Sequence, residues 1–167
     1  MDLSKLTASI ITTSDSRALG SGKVDESGAI IREMLKLEGY EVVDYKLISD
    51  DFDEIKNNLI RVCEQKIDLV LTTGGTGLSP RDQTPEATKA IIEKEVPGIS
   101  EAMRYHSLQI TPRAMLSRGI SGIRNKSLII NLPGSPKAVR ENLAYILPTL
   151  SHGLAVLRQE VAECGKN

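Results

Sequence analysis

IDLVLTTGGTGLSPRDQTPEA, residues 67–87, sets a short apolar run against a loop of three glycines, then against two prolines that flank an Arg-Asp pair. The run Ile67–Leu71 is β-rich, as in a strand buried on both faces of a sheet. Thr84-Pro85-Glu86 reads as a helix start, with Thr84 as N-cap and Pro85 at the first helical position. A strand that leaves through a glycine loop into a helix is the βα connection of an α/β protein.

Outward from this stretch the same order repeats. Ala8–Thr13 is a β-branched run; Asp25–Glu38 carries Ile30, Ile31, Met34, Leu35 and Leu37 near helical spacing, and Gly39 stands where a helix-ending glycine belongs. Tyr40–Ile48 reads as a second strand, Asp51–Gln65 as a helix through Phe52, Ile55, Leu59 and Val62, and Asp68–Thr72 as the third strand. Helices are expected near 84–95 and 98–109, strands at 118–123 and 127–132, and a helix over 136–159 in which Pro148 is a candidate break. Strands alternating with helices imply parallel βαβ units, so the expected fold is α/β, a three-layer α/β/α sandwich around a mostly parallel sheet. The 167 residues suit one domain, 1–167, with an ordered core over about 6–157 and frayed ends, ECGKN above all.

Composition excludes several function classes. With 21 Lys+Arg against 22 Asp+Glu the formal charge is −1, which gives no global basic field for nucleic acid, and aromatics at 3% leave few stacking platforms. Cys63 and Cys164 lie far apart, a pattern that suggests neither a disulfide framework nor a CxxC metal site and that fits a reducing cytosol. No apolar run approaches the ~20 residues of a membrane span, and MDLSKLTASIITTSDS lacks a long secretory h-region. A cytoplasmic protein without nucleic-acid or membrane partners is expected.

In an open parallel sheet, ligands bind beyond the carboxyl ends of the strands. Four loops should open there: 12–28 (TTSDSRALGSGKVDESG), 48–51 (ISDD), 73–82 (TGGTGLSPRD) and 131–136 (NLPGSP). Gly74, Gly75 and Gly77 can adopt positive φ and bring N–H groups up to an anion, although a tight turn uses glycines equally. The loop is neither a Walker loop nor a full dinucleotide fingerprint. Arg81 could contact phosphate or pair with Asp82. Ser135 and Pro136 start another helix at the same edge, a second place compatible with an anion. Asp15, Asp50 and Asp82 each follow a strand, and carboxylates beside phosphates call for Mg²⁺, which takes few protein ligands. Asp50 or Asp51 could instead cap the next helix, and Ser14, Asp15 and Ser16 could serve only an Asx turn. Arg104, Arg113 and Arg118 could form a local cationic wall or be solvated surface groups. His106 and His152 have no partners at ligand spacing and receive no role.

GGTGLSPRDQTPEAT (74–88), VPGISEAMR (96–104), ITPRAMLSR (110–118) and LIINLPGSPKAV (128–139), with TTSDS and DESG near the start, resemble the molybdopterin adenylyltransferase family, the MogA/MoaB-like group that includes the gephyrin G domain. The resemblance covers about residues 6–157. It implies transfer of AMP from Mg-ATP to the terminal phosphate of molybdopterin with release of pyrophosphate, Mg²⁺ as cofactor and ATP as co-substrate. Carried over, Asp50 and Asp82 are the acidic pair at metal and triphosphate, with Ser14 and Asp15 in support. Gly74, Gly75, Thr76 and Gly77 hold the nucleotide. Ser79, Arg81, Met103, Ser107, Pro133, Gly134 and Ser135 lie on the pterin-phosphate side. Some family members lacking clear activity differ around Ser79–Pro85, which is intact here. The resemblance also implies a homotrimer and, since the chain ends soon after the domain, hand-over to a separate molybdate-inserting protein. A non-catalytic molybdopterin-binding scaffold and a nucleotide pyrophosphate hydrolase remain the alternatives.

Overall fold

The computed structural model describes residues 5–159; Cys164 and the ECGKN tail lie outside the described residues. Its elements run β1 (Thr7–Thr13), α1 (Asp15–Ala18), α2 (Glu26–Leu37), β2 (Glu41–Ile48), α3 (Phe52–Glu64), β3 (Leu69–Thr73), α4 (Thr84–Lys89), β4 (Lys94–Glu95) and α5 (Pro97–Leu108). A 3₁₀ turn (Pro112–Leu116), β5 (Ser121–Arg124), β6 (Ser127–Leu132) and α6 (Pro136–Leu157) complete the chain. The strands form one sheet in the order β2-β1-β3-β6-β5-β4. β2, β1, β3 and β6 are parallel, while β5 and β4 are antiparallel additions at one side.

Period-two alternation along the central strands sorts the core into two layers. Ile10, Leu69, Leu71, Leu128, Ile130 and Leu132 face α2, α5 and α6 through Ile31, Leu35, Met103, Val139, Leu143 and Ile146. Ile11, Val70 and Ile129, one residue out of phase, face α3 and α4 through Ile55, Leu59, Val62, Cys63 and Ala87. Both faces of the sheet are thus covered, and the structure is the expected three-layer α/β/α sandwich.

Several local expectations are corrected. The helix expected over 84–95 ends at Lys89, and residues 94–95 pair with β5 instead. The strand expected at 118–123 starts only at Ser121, and α1 and the 3₁₀ turn carry no apolar periodicity that would reveal them. Pro148 does not break α6, which is one helix of 22 residues. Its ring sits on the exposed face, while buried Ile146, Leu147, Leu150 and Leu154 hold both halves to the core.

At the strand starts, away from the glycine loop, buried Asp68 ties three elements together. Its carboxylate accepts from the Thr7 N–H and hydroxyl at 2.7 Å each and from Arg158 Nε at 2.6 Å. Burial alone pushes this carboxyl up, but the Arg158 and Thr7 hydrogen bonds, with the Arg158 charge, outweigh it and hold the group below its ordinary value.

Candidate active site

The four parallel strands end together at Thr13, Ile48, Thr73 and Leu132, so the four loops do open on one edge. The chain passes from β1 outward to β2 and then back across to β3, which makes the gap between β1 and β3 the topological switch point. The glycine loop closes over it. Gly74 (φ +97°) lies so near β1 that a Cβ there would sit 2.3 Å from the Thr13 carbonyl oxygen. A Cβ on Gly75 (φ +64°) would sit 2.3 Å from Thr84 Oγ1, 3.0 Å from Thr13 Oγ1 and 3.3 Å from Asp50 Oδ1. Gly77 does not have a positive φ. It is small for another reason: the Asp82 carboxylate would lie 2.8 Å from its Cβ.

Asp15 and Asp50 lock to each other across the edge. Asp50 Oδ2 accepts from the Asp15 N–H, and Asp15 Oδ1 accepts from the Asp50 N–H, both at 2.9 Å. Asp51 is the helix cap, accepting from the Glu54 N–H at 2.9 Å, so Asp50 is free of that duty. Its remaining oxygen, Oδ1, is buried and has no hydrogen-bond partner among the described residues. A carboxylate oxygen without a donor is costly when buried, and it is the natural ligand of a cation. Asp82 is turned back on its own loop, accepting from the Ser79 N–H at 3.1 Å.

Arg81 pairs with Asp15 rather than with Asp82, its Nε and Nη2 donating to the two carboxylate oxygens at 2.9 and 3.0 Å. The Arg81 hydrogen bonds first, then the Asp50 N–H, hold the Asp15 carboxyl below its ordinary value. Ser14 caps α1 and donates its own N–H to the Ile48 carbonyl at 2.9 Å, while Ser79 is exposed at the tip of the 79–82 turn. Thr84 is not the expected cap. It is the first residue of α4, fully buried, with Oγ1 3.3 Å from Thr13 Oγ1, and Gln83 at the N-cap makes no side-chain bond. Ser135 does cap α6, through the Ala138 N–H at 3.5 Å.

Beside this loop cluster lies a cavity of about 490 Å³ between α5, the 3₁₀ turn and the start of α6. Met103, Ser107, Pro133 and Ser135 line it, as expected; Ser79 and Arg81 do not. Gly134 sits at the junction, where a Cβ would be 3.4 Å from the Gly74 Cα and where its carbonyl accepts from the Ser27 hydroxyl at 2.8 Å. Arg104 and Arg113 line the cavity with Lys137, opposed by the single acidic side chain Glu141, so a local cationic wall exists in a near-neutral protein. Arg118 is not part of it and turns instead to the glycine loop.

Two wall residues escaped the sequence reading. Asn131 is buried in β6, donating to the Thr72 and Thr88 hydroxyls at 3.0 Å each while accepting from the Ile120 N–H at 3.2 Å. Asn142, on the apolar stripe of α6, accepts from Ser107 Oγ at 3.0 Å and donates to the Ala138 carbonyl at 2.8 Å. The signal for both is a polar amide at a core position of an otherwise apolar pattern.

At one strand edge the mostly parallel α/β sheet gathers a glycine loop, a paired-carboxylate corner and a cationic cavity, which is where an α/β protein of this class binds its ligands. Comparison with known families narrows this: residues 9–152 match the family described as probable molybdopterin binding domain, and the chain belongs to it. A molybdopterin adenylyltransferase of Helicobacter pylori is 45% identical over 150 residues, covering 86% of this chain and 82% of that protein. The gephyrin of Dictyostelium discoideum is 43% identical over 161 residues, 90% of this chain but only 22% of that longer protein. Among solved structures, the molybdopterin biosynthesis enzyme MoaB of Thermus thermophilus superposes with a TM-score of 0.85 at 44% identity, covering 92% of this chain and 97% of that one.

Proposed function

We propose that this protein is a molybdopterin adenylyltransferase, moving AMP from Mg-ATP to the terminal phosphate of molybdopterin and releasing pyrophosphate. The observation that carries this reading is the buried, unpartnered Asp50 Oδ1 set against Gly75 at the switch point. The Helicobacter relative named for this activity supports it.

Among the described residues, no group of three or more His, Cys, Asp or Glu side chains is gathered to hold a metal by itself. The donor set therefore suits Mg²⁺, which binds through one or two carboxylates and completes its shell with phosphate oxygens and water. Asp50 and Asp82 would hold it. The chemistry a Mg²⁺ held there would supply is charge neutralisation on the triphosphate. The rest of the work falls to the chain. The loop over Gly74–Gly77 presents N–H groups to the nucleotide's phosphates, and Asp15 holds Asp50 so that Oδ1 faces the loop. Arg104, Arg113 and Lys137 draw the anionic pterin into the cavity, and Gly134 lets the β6 loop pack close against the glycine loop at Gly74. The attacking phosphate oxygen is already an anion, so orientation and charge neutralisation matter more than a strong base.

In this reading the whole chain is a single domain that works as a homotrimer in the cytosol and passes its product to a separate molybdate-inserting protein. The exposed Tyr105, Leu108, Met115 and Leu116 support self-association, and the free thiol of buried Cys63 supports a reducing compartment. No helix among the described residues is long and apolar enough to cross a membrane. Incubation with Mg-ATP and molybdopterin, followed by mass analysis, tests the activity. Adenylylated molybdopterin with equimolar pyrophosphate is expected; free AMP would indicate a hydrolase, and unchanged ATP a binding module.

A further inference from the structure

Arg118 lies between two residues of the cavity wall, Ser117 and Gly119, yet its bonds run to the glycine loop. Its main-chain N–H donates to the Thr76 carbonyl at 3.0 Å. Its Nε donates to the Gly77 carbonyl and its Nη2 to the Asp82 carbonyl, each at 2.7 Å, while Nη1 pairs with Glu86. We propose that Arg118 is the positioning residue that turns the 76–83 loop into an anion cradle, by drawing three carbonyls to one side so that the N–H groups of the same peptide units face the other.

In a trans peptide the C=O and N–H of one unit point in opposite directions. The units whose carbonyls Arg118 holds carry the N–H groups of Gly77, Leu78 and Gln83, and none of these donates to an acceptor among the described residues. Left unheld, the same carbonyls could rotate toward a bound phosphate and repel it. Glu86 balances the guanidinium charge, so Arg118 acts on the anion through the loop and not as a direct cation. The guanidinium reaches Gly77, Asp82 and Glu86 from three different nitrogens of one rigid plane, whereas a lysine ammonium must donate from a single nitrogen.

The inference rests on the loop being the triphosphate site. It is tested on the full chain by measuring affinity for Mg-ATP, and for adenosine by competition, in Arg118→Lys and Glu86→Gln variants. Losing charge-assisted hydrogen bonds to the loop should weaken Mg-ATP binding at least about tenfold in Arg118→Lys. Adenosine affinity should move less than about twofold, because it lacks the phosphates the cradle serves. Glu86→Gln, which leaves the three carbonyl contacts in place and only unmasks the guanidinium charge, should not weaken Mg-ATP binding. Unchanged Mg-ATP affinity in Arg118→Lys, or equal losses for Mg-ATP and adenosine, would overturn the proposal. Should Arg118→Lys not fold, amide exchange in the wild-type protein decides: Gly77, Leu78 and Gln83 should become protected on adding Mg-ATP, and lack of protection overturns the assignment. A wild-type protein that binds no Mg-ATP at all would instead defeat the functional reading beneath it.

Discussion

Replacing Gly75 by Ala perturbs the site at its most crowded point. At φ +64° an L-residue is in the left-handed region, which costs about 1–2 kcal/mol. The new Cβ would then sit 2.3 Å from Thr84 Oγ1, a buried hydroxyl whose neighbour, Thr13 Oγ1, would itself be 3.0 Å away. Relieving such overpacking costs a further ~1–3 kcal/mol. Gly22 supplies the control: its φ is +72° and nothing lies within 4 Å of its would-be Cβ, so Gly22→Ala should show the backbone cost alone. Chemical denaturation should therefore place Gly75→Ala about 1–3 kcal/mol below Gly22→Ala. Titration calorimetry on the folded variants should show Mg-ATP affinity reduced at least about tenfold in Gly75→Ala, a loss of ~1.4 kcal/mol, and unchanged in Gly22→Ala. Equal stability of the two variants together with normal nucleotide binding would reduce the loop to a turn and refute the packing argument.

Two further outcomes follow from the same geometry. Asp15→Ala removes the acceptor that holds the Asp50 N–H, whereas Asp15→Asn keeps an acceptor and drops the charge; turnover should fall about tenfold in the first and much less in the second, with the KM for molybdopterin steady in both. Equal losses would make the Asp15 charge, rather than its hydrogen bond, the important property. Asp68 governs acid stability: its folded pKa is lowered, so its contribution is complete above the ordinary carboxylate pKa and fades as pH falls below about 4. Asp68→Asn should cost about 1–3 kcal/mol at neutral pH by removing the charge from its pair with Arg158 and flatten the acid limb of a stability–pH curve; an unchanged limb would contradict the assignment.

The layered fold was legible because buried parallel strands and amphipathic helices write different periods into the chain. IDLVL and SLIINL read as strands, and each leads into turn chemistry and then a helix. The antiparallel edge was not legible, since β4 is two residues long and its pairing with β5 depends on a contact across the chain. Pro97 held the available hint, since a residue before proline is steered away from helical backbone and Val96 sits outside it. Pro148 misled in the opposite sense: propensity disfavours it, but the buried leucines on both sides override one missing hydrogen bond on the exposed face.

In the candidate site, the loop residues could be grouped because parallel strands end together. Their pairings could not. Asp15 meets Asp50 only because β1 and β2 are neighbours, and Arg81 reaches Asp15 only because β3 lies on the other side of β1. The division into a glycine-loop corner and a separate cavity, with Arg81 at the first and Arg104 and Arg113 at the second, is likewise set by strand order and not by spacing in the chain.

Single-turnover transfer from α-labelled Mg-ATP, run side by side on wild type and Asp50→Asn, tests the central claim most directly. Asparagine can still accept the Asp15 N–H through its one oxygen, so the substitution puts a neutral NH2 where the orphan oxygen stood while keeping the corner intact. In the wild type, label should pass to molybdopterin with one pyrophosphate released per transfer. In a folded Asp50→Asn protein, the rate should fall about 100-fold or more, the several kcal/mol expected when a metal's charge-neutralising ligand is lost. Wild-type transfer by Asp50→Asn, or label recovered from the wild type as free AMP, would contradict the account.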